Sequence, residues 1–311
     1  MNCFARAVET GSFSAVAREL GVGQPNVSRY IAALEQHLAT RLLHRSTRRL
    51  TLTPEGEGYY AEVKQLLDAL TEAESNVRGE NKPSGLLRVT CPTSIGRVLL
   101  VPRIGKLLGR HPEMELDLQI SDRFVDMVEE GIDLAIRIGP LKDSVLRARR
   151  IGTSERVCVA SGKYLQQHGV PQVPEDLLRH NCILYTLQSS GNTWSFREGD
   201  VTVKGRFRVN APDGVHSAIL DGLGIGYAPF WMFEAALRNG RVQPVLLDHR
   251  GPSVPINIVY SAKRHLPRRS IVFMDFIAEE FRRIPALNEG ALARLVEENP
   301  HSRGGPAIRG K

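Results

Sequence analysis

The sequence predicts an α/β protein in which a small helical head with a two-stranded wing is joined, through one long helix, to a larger body of alternating strands and helices. Three observations carry this. The stretch FSAVARELGVGQPNVSRYIA, Phe13 to Ala32, has the pattern of two short helices and a tight turn. Between Pro54 and Val77, apolar residues recur at steps of four and three. From Leu86 onward, short apolar runs that read as strands alternate with helical segments.

The head begins with a short helix, Asn2 to Thr10, with Phe4, Ala7 and Val8 inward, broken at Gly11. Ser12 or Ser14 caps the next helix, which ends at Gly21. Within the pair, Ala17 allows a close helix crossing, Gly21 can take the left-handed turn conformation, and Val27 plugs the corner. In the following helix, Val27, Ile31, Leu34 and Leu38 form the core stripe, with Gly23 as N-cap and Pro25 in the first turn. Gln24, Pro25, Asn26, Ser28 and Arg29 are left on or beside the polar face. Their amide, hydroxyl and guanidinium groups are those that hydrogen-bond base edges and phosphates, so this helix is expected in a DNA major groove.

Leu42 to Arg45 and Leu50 to Thr53 are expected to pair as a hairpin, a wing whose arginines Arg45, Arg48 and Arg49 suit phosphate or a narrow minor groove. Between Met1 and Thr53, seven arginines face three glutamates, and four of the seven lie between Arg41 and Arg49. The formal charge of the 311-residue chain, +7, agrees with a nucleic-acid partner but says little by itself.

Thr53 then caps a long helix with Pro54 at its first position and Glu55 in its first turn. Tyr59, Val63, Leu66, Leu70, Ala73 and Val77 make a heptad seam over about 36 Å of helix, and a second copy of the chain is its expected partner. Residues 79–85, GENKPSG, read as a hinge.

In the body, strands are expected at Leu86 to Thr90, Met114 to Ile120, Asp133 to Ile138 and Arg156 to Ser161, with helices over Arg97 to Arg110 and Phe124 to Glu130. Such alternation predicts a parallel sheet covered on both faces. Further strands are CILY, VTVKGRFRVN (201–210), IGYA and VQPVLL, with a helix from Asp213 to Asp221. Ile256 to Ser261 and a helix from Ser270 to Arg283 return to the first half, and a tail over 286–311 is expected to be partly disordered. No run is long and apolar enough to span a bilayer and no leader precedes the head, which points to the cytoplasm. Cys3, Cys91, Cys158 and Cys182 lack metal spacing and are expected to be free thiols, and no metal or cofactor site is expected.

Taken together, and above all in ETGSFSAVARELGVGQPNVSRYIAALEQHLATRLLHRSTRRLTLTPEGE, these residues resemble the LysR-type transcriptional regulators from about Met1 to Pro285. The resemblance implies a winged helix-turn-helix over 1–53, a dimerising linker helix over 54–78, and a two-lobed effector domain like the type II periplasmic binding proteins over 86–285. Its first lobe would be 86–161 and 256–285 and its second 162–255. It further implies a homodimer or homotetramer on double-stranded promoter DNA, a small-molecule effector between the lobes, and RNA polymerase as a further partner if the protein is an activator. The family's usual lead into the first helix is several residues longer, so Met1 is expected to be a late start, and Gly23 stands where the family usually has Ser.

Around the implied cleft, Thr93, Ser94, Arg137, Gly139, Asn210 and Asp213 are the candidate effector contacts, because loops at strand ends and helix N-termini there attract anions. Thr93, Ser94 and Asp213 could equally cap helices, Arg137 could form a structural ion pair, and Trp194 could pack in the core or near the cleft. Catalysis is not expected. GLGIG (222–226) follows a helix and enters a strand, the reverse of a dinucleotide fingerprint, and Asp213, His216 and Ser217 are neighbours on one helix rather than a triad.

Overall fold

The computed structural model describes residues 1–45, 50–77, 82–123, 125–127, 130–140, 146–187, 190–262 and 266–298. The head comprises α1 (Asn2–Thr10), α2 (Phe13–Glu19) and α3 (Gln24–His37), followed by β1 (Leu43–Arg45) and β2 (Leu50–Leu52), an antiparallel pair with Leu43 opposite Leu52. Gly11 and Gly21 both have φ of 63°, as the turns require, and the Ser12 hydroxyl accepts the Ala15 N–H at the start of α2. Phe4, Ala7, Val16, Val27 and Ile31 are fully enclosed, and Ala5 and Ala17 close the crossing.

Thr53 begins α4 (Pro54–Val77): its Oγ1 accepts the Gly56 N–H at 3.0 Å and donates to the Arg41 carbonyl at 2.7 Å. A Cβ on Gly56 would lie 2.0 Å from the Leu42 carbonyl oxygen, so only glycine lets the helix start so close to the wing. The heptad seam then divides. Tyr59 and Val63 pack into the head of their own chain, together with Tyr60, whereas Leu66, Leu70 and Val77 are 62%, 56% and 90% exposed.

The body opens with β3 (Gly85–Cys91), a π-helical stretch (Ile95–Leu100), α5 (Val101–Arg110), β4 (Met114–Ile120), β5 (Leu134–Ile138) and β6 (Leu146–Ser154). Next come β7 (Arg156–Ser161), α6 (Gly162–His168), β8 (Ile183–Tyr185), β9 (Thr193–Ser195), β10 (Asp200–Thr202), β11 (Phe207–Val209) and α7 (Pro212–Leu220). The chain closes with β12 (Gly226–Pro229), α8 (Phe230–Arg238), β13 (Val242–Val245), β14 (Val254–Ser261), α9 (Arg268–Arg282) and α10 (Ala291–Glu298). The first lobe is a five-stranded sheet in the order β4-β3-β5-β14-β6, and the second is built on β12-β7-β13 with the pairs β8/β11 and β9/β10. The chain crosses between them at Glu155 and again before Val254.

Five expectations are corrected here. The sheet is mixed rather than parallel: β3 is parallel to β4 and β5, but β14 returns from the second lobe antiparallel to both β5 and β6. Strand β7 joins the second lobe's sheet, which ends the first lobe at Ser154 rather than 161. The described residues of 124–130 are not helical; Val125 and Met127 instead tuck beneath the sheet with Ile132, Ala135 and Val259. The long strand over 201–210 is broken into β10 and β11, because Gly205 passes so near Cys182 that a Cβ would sit 1.7 Å from its carbonyl oxygen. The tail begins later than residue 286, since Ala286, Leu287, Ala291, Leu292 and Leu295 are buried in the main core.

Candidate functional site

Two surfaces gather the functional groups. On the head, α3 presents Gln24, Pro25 and Arg29 fully exposed, with Asn26 and Ser28 half-buried beside them. Gly23 occupies the N-cap in extended backbone with no side-chain cap, Pro25 has no amide to satisfy, and the Asn26 N–H donates to the Gly23 carbonyl at 2.9 Å. The Arg29 guanidinium lies 5.8 Å from the ring centre of Tyr30, itself 46% exposed. One residue of this helix was not singled out from the sequence. Glu35 accepts the N–H groups of Leu42 and Leu43 at 2.9 and 3.1 Å, so α3 itself fixes where the wing starts. Arg45 lies in β1 opposite Leu50, while Arg48 and Arg49 fall outside the described residues. Arg6 is paired with both Glu9 and Glu19.

The second surface is a cleft of about 620 Å³ between the lobes. Of the candidate contacts, Ser94 and Arg137 line it and the other four do not. The Thr93 N–H donates to Asp122 Oδ1 at 3.0 Å, and the Gly139 N–H donates to the Pro255 carbonyl at 2.9 Å with φ of 107°. Asn210 is exposed outside the wall, and Asp213, at the start of α7, pairs across the lobes with Arg97 of the π-helical stretch. Arg137 Nη2 donates to the Val125 carbonyl at 3.1 Å. Gly222–Gly226 is a helix stop: a Cβ on Gly226 would meet Ile219 at 2.1 Å. His216 packs on Phe233, 4.8 Å between ring centres, far from triad geometry.

The cleft also holds residues the sequence reading did not select: Ser154, Arg156, Tyr185, Tyr227 and Met232. Arg156 was the one visible signal, a charge at the head of the apolar strand RVCVAS. Its guanidinium lies 5.3 Å from the centre of the Tyr227 ring, and Trp194 packs in the core behind that ring at 5.5 Å. Burial holds the guanidinium groups of Arg137 and Arg156 below the ordinary range. Burial first, and the charge of Asp122 second, push the Tyr185 hydroxyl and the Cys91 thiol each up to about 12, so both stay protonated at neutral pH.

Comparison with known proteins gives this arrangement its context. Residues 1–57 match the family model of the bacterial regulatory helix-turn-helix protein, lysR family, and residues 80–282 match the LysR substrate binding domain. The chain belongs to the LysR family. It is 37% identical over 285 residues to the HTH-type transcriptional regulator YhjC of Escherichia coli, covering 89% of this chain and 95% of the relative. It is 33% identical to the regulator CrgA of Neisseria meningitidis, with 90% and 95% covered. The solved structure of CrgA superposes with a TM-score of 0.60 over 90% of this chain and 97% of that one. The full-length virulence activator AphB of Vibrio cholerae, 31% identical, gives 0.56 over 89% and 97%. As a LysR-type protein, the chain is a DNA-binding transcriptional regulator with an effector-binding domain, and not an enzyme.

In this LysR-type chain the head is docked on its own effector domain. Tyr60 donates to Glu9 at 3.2 Å, and Arg88 of β3 approaches the same carboxylate at 3.6 Å. Lys64 pairs with Asp133 at 3.0 Å and donates to the Gly131 carbonyl at 3.3 Å, while Arg269 of α9 holds Asp68 at 2.8 Å. Asp133 immediately precedes β5, the strand whose far end carries Arg137 and Ile138 into the cleft.

Proposed function

We propose that the protein binds a dyad-symmetric operator, with Gln24, Pro25, Asn26, Ser28 and Arg29 at the bases and adjacent phosphates and with Arg45, Arg48 and Arg49 of the wing at flanking phosphate. The observation that carries this is the exposed polar face at the N-terminal end of α3, backed by a buried stripe and held to the wing by Glu35. The head is 1–53, the linker helix 54–77 and the effector domain 85–298, with its first lobe comprising 85–154 and the return from 254. A small molecule in the cleft, touching Ser94 and Arg137, alters the affinity or register of the head on DNA. The chain acts in the cytoplasm as a dimer or tetramer, with Leu66, Leu70 and Val77 of two linker helices in contact. RNA polymerase becomes a partner where the operator lies at an activating position.

A footprint of the purified protein on the intergenic DNA beside its own gene, at two salt concentrations, tests this. Protection of a dyad spanning several helical turns supports the reading. Unpositioned, salt-sensitive binding would replace it with an architectural role.

A further inference from the structure

The crossover between the lobes carries a cation, Arg156, that meets an aromatic ring and, among the described residues, no carboxylate. Ser154 ends β6 in the first lobe and Arg156 begins β7 in the second, and both line the cleft. Extended backbone sends residues two apart to the same side and the residue between them to the other. Glu155 accordingly turns away. Its two carboxylate oxygens accept the N–H groups of Gly290 and Leu292, each at 2.8 Å.

Arg156 has no carboxylate within ion-pair distance among the described residues, and its contact in the cleft is the ring of Tyr227. Of the other charges of the wall, Asp122 accepts from the Thr93 amide, Arg137 donates to Val125, and Arg123 is exposed to solvent. Beside Arg156, Ser154 is completely buried and its hydroxyl has no hydrogen-bond partner. A desolvated guanidinium and an orphan hydroxyl at one place are costly unless something outside the chain satisfies both. A guanidinium lying over an aromatic ring keeps its edge free, and that edge is a planar fork of donors matched to a carboxylate. Val125, Ile136, Tyr185, Val215 and Met232 give the wall an apolar part, beside the hydroxyl residues Thr90, Ser94 and Ser121.

We propose that the effector is a small monocarboxylate with an apolar body, its carboxylate clamped between the Arg156 guanidinium and the Ser154 hydroxyl. This rests on the cleft being the effector site, and it adds the chemical class and a mechanical consequence. One acceptor group bonded to the last residue of β6 and the first residue of β7 ties the two lobes together at their crossover. Binding therefore resists rotation of one lobe against the other.

The test is thermal unfolding of the full chain with benzoate, phenylacetate and hexanoate, each against its own amide, and with acetate and inorganic phosphate as anions lacking an apolar body. At least one of the three acids should raise the melting temperature saturably while its amide, acetate and phosphate do not. Arg156→Gln should weaken that acid roughly tenfold or more, as removal of a charged donor to an anion does, and Arg156→Lys should fall between, keeping the charge without the fork. Without ligand, Arg156→Gln should melt no lower than the native chain, because it removes a half-buried cation that has no carboxylate partner among the described residues; an arginine serving only the fold would lower it. Equal stabilisation by the amides, an acid whose binding survives Arg156→Gln, or no effect of any acid would each overturn the proposal. Repeating the operator footprint with the bound acid separates the two readings. An acid that binds through Arg156 and leaves the footprint unchanged keeps the anion clamp and removes the effector role.

Discussion

Lys64, on the linker helix, and Asp133, immediately before β5 of the effector domain, form an ion pair at 3.0 Å with both side chains only 8% exposed. The second Asp133 oxygen accepts the Arg88 amide at 3.0 Å. One carboxylate thus holds the linker helix and the central strand of the first lobe together, and that strand continues to the cleft wall.

Breaking that pair from one side should be severe. Lys64→Met or Asp133→Asn leaves a buried partner uncompensated, with an expected loss of about 3–5 kcal/mol. Replacing both residues together should cost much less than the sum of the single changes. Chemical denaturation of the two single variants and the double variant closes the cycle, and additive losses would contradict the coupling.

Two glycines of the linker helix should respond in opposite directions. Gly56→Ala drives a methyl group into the Leu42 carbonyl oxygen and should cost about 1–3 kcal/mol or more. Gly58→Ala, on the same helix with open space around it, should stabilise by roughly 0.5–1 kcal/mol. Melting temperatures of the two variants read this directly.

Leu66 and Leu70 are exposed on a single chain and support the proposed contact between copies. Replacing both by Lys should shift a dilute sample to monomer in light scattering and leave the circular dichroism of the head intact. A native chain that is already monomeric at concentrations where it binds operator would remove the linker helix from assembly.

On the head, Arg29→Ala should cost about 1–3 kcal/mol on operator DNA and relax sequence preference. Arg48→Ala should instead weaken binding to all sequences and reduce the salt slope by about one. Equal losses on operator and random DNA for Arg29→Ala would assign it to phosphate.

The head was legible in the sequence because its boundaries are set by neighbours in the chain. Ser12, Gly23, Thr53 and Pro54 each act within one helical turn, and the cap on α4 stands where Thr53 predicts it. In the body, local patterning located β3, β4, β5 and β14 of the first lobe but missed β6, and it did not show how the strands pair. Nothing within Val254–Ser261 records that it runs antiparallel to β5, and nothing in RVCVAS records that it belongs to the other lobe. Helix α10 was missed because eight residues with three buried positions carry too little periodicity to stand out before a polar end. At the cleft, Ser94 was marked by its place after β3 and Arg137 by its place near the end of β5, whereas Ser154, Arg156 and Tyr227 meet only through the crossover. Glu35 escaped because its partners are amides, which leave no mark in a sequence.

Glu155, pinned between Ser154 and Arg156, has a consequence for anyone handling this protein. Its carboxylate is the anchor for the start of α10, so the last described helix is bolted to the crossover between the lobes. Cutting the chain before Gly290 would leave that carboxylate without its two amides, one peptide unit from the unpaired Arg156. A truncation that removes α10 would therefore be felt at the crossover between the lobes.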